Sequence, residues 1–123
     1  RLLGGNLDLR GRLKLVLSGQ PLMIRTLQVD SLTDLRERVV LNIQLKAMTL
    51  PETHAYIEHR LERAGAQKQI FDDASVKLMY HHSEGVPRRV NRVALKAIMN
   101  AWQKGMTEID DITTREACEA DQS

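Results

Sequence analysis

Between Pro87 and Lys104 the residues Val90, Val93, Ala94, Ala97, Ile98 and Ala101 fall on one face at the three- and four-residue spacing of a buried helical stripe. A strand, which repeats every two residues, cannot present that pattern. The spacing therefore predicts a helix that other elements must cover. At 100° per residue Arg88, Arg89, Arg92 and Lys96 take the opposite face. Pro87 suits the first helical position, and Gly105 ends the run. The start of such a helix offers unpaired N–H groups and a partial positive charge to an anion, and Arg88 adds a guanidinium there. By itself Gly85-Val86-Pro87-Arg88 is a weak signal, since surface arginines on a helix start are common.

Further helices surround it. Thr49-Leu50-Pro51-Glu52 is a capping box that opens a helix carrying Tyr56, Ile57, Leu61 and Ala64 inward and stopping at Gly65. Asp72 or Asp73 caps a second helix running to about Ser83, with Gly85 as its terminator. Thr113-Thr114-Arg115-Glu116 reads as another capping box, starting a short terminal helix. Four helices joined by short loops make a small bundle.

Upstream of residue 46 the character changes. Leu13 to Ser18 is an apolar run closed by Gly19-Gln20-Pro21, the pattern of a buried parallel strand. Val39 to Leu45 alternates over its second half and is rich in branched residues, which predicts a second strand. A polar helical stretch ending in Leu35-Arg36-Glu37-Arg38 lies between them. The expected fold is thus mainly α, a four-helix bundle over residues 47–123 preceded by an incomplete α/β piece of two strands over residues 1–46.

Composition narrows the class. Apolar residues make up 42% and charged residues 28%, which fits a globular chain and excludes a disordered or membrane-embedded one. Only four residues are aromatic, so aliphatic side chains must fill the core. No run of about 18 apolar residues is present, no signal-peptide pattern stands at the start, and the single Cys118 excludes an internal disulfide. The expectation is a cytoplasmic protein without direct membrane insertion. Charge is segregated: Val86 to Lys104 holds five cations and no acid, whereas Gly105 to Ser123 holds six acids and one arginine. A basic helix suits nucleic acid, anionic lipid or nucleotide phosphate, and charge alone does not choose among them.

Other chemistry finds little support. His54, His59, His81 and His82 lack metal spacing, so no metal site is expected. Cys118 has no His or Asp arrangement around it, and the methionines suit core filling. There is no G-x-x-x-x-G-K-[ST] loop and no apolar strand ending in Asp-Glu to hold Mg²⁺.

The strings Leu17-Ser18-Gly19-Gln20-Pro21-Leu22, Leu35-Arg36-Glu37-Arg38-Val39, Tyr56-Ile57-Glu58-His59-Arg60-Leu61 and Gly85-Val86-Pro87-Arg88-Arg89-Val90-Asn91, in that order, resemble the C-terminal portion of an AAA+ ATPase module of the ExeA or general secretion pathway protein A type. Ile70-Phe71-Asp72 and Asp111-Ile112-Thr113 fit the same frame. The family also includes pilus-biogenesis ATPases and relatives of transposition regulators. The resemblance implies that residues 1–46 are a remnant of the α/β core of a P-loop NTPase and residues 47–123 its helical lid.

Residue by residue, the resemblance implies that Gln20 takes the sensor 1 place, which orients the attacking water; read alone, it is equally a turn residue before Pro21. Arg38 matches the arginine finger, with Arg36 second to it; from the residues alone, both belong to a solvated helix end. Arg88 matches sensor 2, the lid arginine that contacts the γ-phosphate. Arg89 and Arg92 border the nucleotide, meet the next subunit or are solvated. ATP and Mg²⁺ are the implied cofactors of the intact protein, with none expected on this chain, which should be inactive alone. Implied partners are the missing N-terminal part of the core and neighbouring subunits of a homo-oligomer. Dimerisation or disorder is expected in residues 1–46, where strands would lack their natural neighbours. The alternative is a nucleic-acid-binding helical module or a transposition-type regulator acting on DNA.

Overall fold

A computed structural model describes residues 14–122. The chain divides into two compact units, Arg1–Gln44 and Leu45–Ser123.

In the first unit, α1 (Leu22–Leu27) leads through a 3₁₀ turn at Asp30–Leu32 into α2 (Thr33–Glu37). Both helices are short, neither has a side-chain cap, and neither buries a residue. The two predicted strands do not form: no strand occurs among the described residues, and 14–20 and 39–49 have no regular structure. Leu13, the first residue of the first predicted strand, lies outside the described residues. The physical reason is that a strand completes its hydrogen bonds only on a neighbour, and among the described residues neither segment pairs with another. Apolar side chains that a sheet would cover stand open instead, with Val40 99% and Leu45 92% exposed.

The second unit holds α3 (Leu50–Arg63), α4 (Asp73–Ser83), α5 (Pro87–Gln103) and α6 (Asp111–Gln122). The α3 start is the expected capping box: the Thr49 hydroxyl accepts from the Glu52 N–H, and Glu52 Oε2 accepts from the Thr49 N–H at 2.8 Å. That bonding, the backbone N–H of Thr49 first, holds the Glu52 carboxyl below its usual range. Asp72 caps α4 through the Ser75 N–H at 2.7 Å. The α6 cap differs from expectation. Asp110 Oδ1 accepts from the Thr113 N–H at 2.8 Å, so α6 begins at Asp111, and Thr113 and Thr114 turn inward and are buried. Two helices end in Schellman motifs around left-handed glycines: the Gly65 and Ala66 N–H groups return to Glu62 and Leu61, and those of Gly105 and Met106 to Trp102 and Ala101.

The core confirms the stripe of α5. Val90, Val93, Ala97 and Ala101 are buried, with Met79 and Val76 of α4, Ile57 of α3 and Ala117 of α6 packed against them. Each large side chain so placed contributes about 1.5–3 kcal/mol. The α3–α4 and α5–α6 loops meet in an isolated parallel bridge, Phe71 to Ile109, where the Ile109 N–H donates to the Ile70 carbonyl at 2.8 Å.

Candidate functional site

The turn between α4 and α5 sets the position of Arg88. Glu84 adopts a left-handed conformation at φ 53°, and Gly85 follows at φ +70°. Two such residues in succession reverse the chain quickly enough for α5 to begin at Pro87. Gly85 is buried, and both of its backbone polar groups are bonded: its N–H donates to Ser83 Oγ at 3.3 Å, and its carbonyl accepts from the Met48 N–H at 2.9 Å. A Cβ at position 85 would lie 1.9 Å from the Met48 carbonyl oxygen. Only glycine fits.

Val86 caps α5 without a side-chain bond, Pro87 has no N–H, and the N–H groups of Arg89 and Val90 both donate to the Val86 carbonyl. Among the described residues the Arg88 N–H makes no hydrogen bond. The N-terminus therefore offers one free donor, fewer than a generic helix start provides. It belongs to the residue whose guanidinium is exposed and, among the described residues, has no carboxylate within ion-pair distance. An anion meeting Arg88 finds backbone and side-chain donors on the same residue.

The remaining cations of α5 are occupied. Arg89 donates to Glu84 Oε2 at 3.0 Å, and Lys104 pairs with Glu116. Arg92 donates a hydrogen bond from Nη2 to Asp121 Oδ2 at 2.7 Å, and its Nε stands in ion-pair contact 2.6 Å from Oδ1. Lys96 Nζ stands 3.0 Å from the same Oδ1 and donates to the Ala120 carbonyl. His82 Nε2 of α4 reaches Oδ2 at 3.1 Å. The Asp121 side chain is only 2% exposed. The Arg92 hydrogen bond, joined by His82 and Lys96, holds the Asp121 carboxyl far below the usual carboxylate range against the opposing pull of desolvation, and Arg92 is raised in return. Sequence reasoning missed Asp121. The available signal was the charge segregation: an acid-rich helix following a cation-rich one is also the pattern of two helices that neutralise each other.

Other expected positions are spread out. Gln20 lies in the exposed turn before α1, its carbonyl accepting from the Met23 N–H at 2.8 Å. Arg38 caps the C-terminus of α2 and is exposed, and Arg36 sits in the last turn of the same helix. These three belong to the first unit; Arg88 and Arg89 belong to the second. Among the described residues no group of three His, Cys, Asp or Glu side chains could hold a metal ion. Burial, helped by Asp121 and Glu119, pushes the Cys118 thiol up and away from the reactive thiolate. An open groove beside α3, lined by Ile57, Leu61 and Ile70, contains none of the expected site residues. The outward face of α5 carries Leu95, Met99 and Trp102, which at 100° per residue lie within about 40° of Arg88. All three are more than half exposed, Trp102 at 80%.

The chain is similar to General secretion pathway protein A of Aeromonas hydrophila. The two are 28% identical over 102 residues, a stretch covering 83% of this chain and 19% of that protein, so the chain spans about a fifth of its relative's length. The match supports the relationship to that type read from the residues. No protein-family model matches the chain, and no solved structure does. No helix among the described residues is long and apolar enough to cross a membrane.

Proposed function

We propose that this chain is the sensor and lid region of an AAA+ ATPase working in secretion or pilus assembly in the cytoplasm, residues 1–46 coming from the α/β core and 47–123 forming the lid. The observation that carries the reading is Arg88. The other basic residues of α5 are tied to acids of the same unit, and among the described residues Arg88 keeps both its guanidinium and its N–H free at the helix start. The similarity to General secretion pathway protein A supports the secretion setting.

ATP with its Mg²⁺ supplies the phosphoryl group when bound in the intact protein. The residues present suit one end of it: Arg88 holds the terminal phosphate, and Arg89, anchored on Glu84, flanks it. A phosphate cradle and a metal-binding acid pair have no counterpart in this sequence, so this chain alone neither binds ATP tightly nor hydrolyses it. Gln20 orients the attacking water, and Arg38 reaches a neighbouring subunit's nucleotide to neutralise charge developing on the phosphoryl group. The apolar face at Leu95, Met99 and Trp102 suits a neighbouring protein surface better than solvent.

In the full-length protein, Arg88→Ala should lower ATP turnover by about 10²-fold or more while the helical content is kept; normal turnover would remove Arg88 from the site. Arg38 is tested by mixing Arg38→Ala subunits with subunits whose own phosphate loop is disabled. Recovery of activity supports action between subunits, and silence ends that role. The nucleic-acid reading is disfavoured, because four of the five α5 cations that would track phosphates, Arg89, Arg92, Lys96 and Lys104, are already paired.

A further inference from the structure

Four donor groups converge on one carboxylate near the end of α6. Arg92 and Lys96 stand one turn apart on α5, and His82 stands in the last turn of α4. Arg92 Nε and Nη2, Lys96 Nζ and His82 Nε2 each lie 3.1 Å or less from an Asp121 oxygen. The carboxylate meets only part of this set. Oδ2 accepts from Arg92 and from His82, whereas Oδ1, enclosed between Arg92 Nε and Lys96 Nζ, accepts no hydrogen bond among the described residues, and Lys96 donates to the Ala120 carbonyl instead. A tetrahedral group with three acceptor oxygens offers such donors more directions than two coplanar oxygens do.

The hold on Asp121 is also limited. Ala117 is the last residue of α6 buried in the apolar core, Cys118 is half-buried against it, and Glu119, Ala120 and Gln122 are exposed. The final turn therefore rests on the Asp121 and Ala120 contacts and not on apolar packing. Asp121 stands at the negative end of its helix, whose last turn has no basic residue, so the helix dipole opposes an anion there. A helix end fastened by charge opens far more readily than the core.

We propose that Arg92, Lys96 and His82 form a receptor for a phosphate dianion, free or as the end group of a monoester, and that the Asp121 carboxylate is its tethered stand-in. Phosphate brings nearly twice the charge of the carboxylate and one more acceptor oxygen, and its entry releases the final turn of α6. A phosphodiester, with a single charge, has no such advantage. The receptor lies within the second unit and takes nothing from Arg88.

The test uses the whole chain and inorganic phosphate at neutral pH, with sodium chloride at equal ionic strength as the reference. Asp121→Ala vacates the receptor. Its denaturant midpoint should fall below that of the unaltered chain and then rise with phosphate to a plateau, a saturable gain that chloride does not give. Where Asp121→Ala has no helical circular dichroism by itself, recovery of that signal with phosphate is the reading. Adding Arg92→Ala should remove the gain. In the unaltered chain, labelled with ¹⁵N, the amides of residues 119–122 should move toward random-coil positions at phosphate concentrations about tenfold higher or more, because a tethered competitor acts at high effective concentration. Equal response to glycerol phosphate assigns the site to a terminal phosphoryl group, and response to inorganic phosphate alone assigns it to the free ion. Any of three results overturns the receptor: no gain in Asp121→Ala beyond that with chloride, a gain that survives Arg92→Ala, or amides at 119–122 that stay fixed across the titration of the unaltered chain.

Discussion

Replacing Asp121 with asparagine leaves Arg92, Lys96 and His82 facing a neutral group in a place where the carboxylate was almost wholly enclosed. Because the partner cations are partly solvated, the expected cost is about 1–3 kcal/mol, less than for a fully buried pair, read as a lowered denaturant midpoint. The acid dependence has a definite sign. Asp121 has a lower value in the folded chain than in the unfolded one, so the unfolded chain takes up its proton first as acid is added. Its contribution is complete above about pH 5 and drains away below that. Stability should therefore fall more steeply from pH 5 to pH 3 in the native chain than in Asp121→Asn; equal slopes would show that another group sets the acid limit. Glycines give a second residue-scale comparison. Gly65 at φ +96° and Gly85 at φ +70° both occupy left-handed backbone, but an added Cβ meets nothing within 4 Å at Gly65 and the Met48 backbone at Gly85. Gly65→Ala should cost about 1–2 kcal/mol from conformation alone, and Gly85→Ala clearly more, measured by chemical denaturation of the two variants side by side. The place of Arg88 at a helix start was legible in the sequence because the signals that frame it, Gly85 and Pro87, are local. Asp121 was not, since its partners lie 25 to 39 residues away along the chain.

Among the elements, the four helices of the second unit could be read because each carries its own period and its own stop signal. The α3 capping box has a measurable consequence: Thr49→Ala should destabilise the unit by about 0.5–2 kcal/mol, and Asp110→Ala should do the same through α6. If instead Thr113→Ala cost helix α6 its cap while Asp110→Ala cost nothing, the bonding described at that terminus would be wrong. The terminal cap was misread because Thr113-x-x-Glu116 and Asp110-x-x-Thr113 are equally good local patterns, and the deciding factor, burial of Thr113 and Thr114 against the bundle, is tertiary. The two strands failed for a related reason. Alternation and branching at residues 39–45 say that the segment suits a sheet, not that a sheet is there to receive it.

At the scale of the molecule, the two units differ in how they manage apolar surface. The second encloses a core while leaving Leu45 and the α5 face of Leu95, Met99 and Trp102 open; in the first, none of the described residues is buried. Exposed Leu15, Val16, Val40, Leu41, Ile43 and Leu45 should drive concentration-dependent association. Sedimentation velocity on the chain, compared with a Val40→Lys, Leu45→Lys double variant, should show the native species shifting upward with concentration and the variant staying put; identical behaviour would clear these residues. Trp102 brings a practical consequence of its own. It is the sole tryptophan, and its indole is already in water on the outer face of α5. Its emission should therefore change little when the bundle melts, while circular dichroism falls. A blue shift in a folded sample would instead mark the moment at which some other surface settles over that face, giving the protein a built-in optical reporter of contact and a poor one of unfolding.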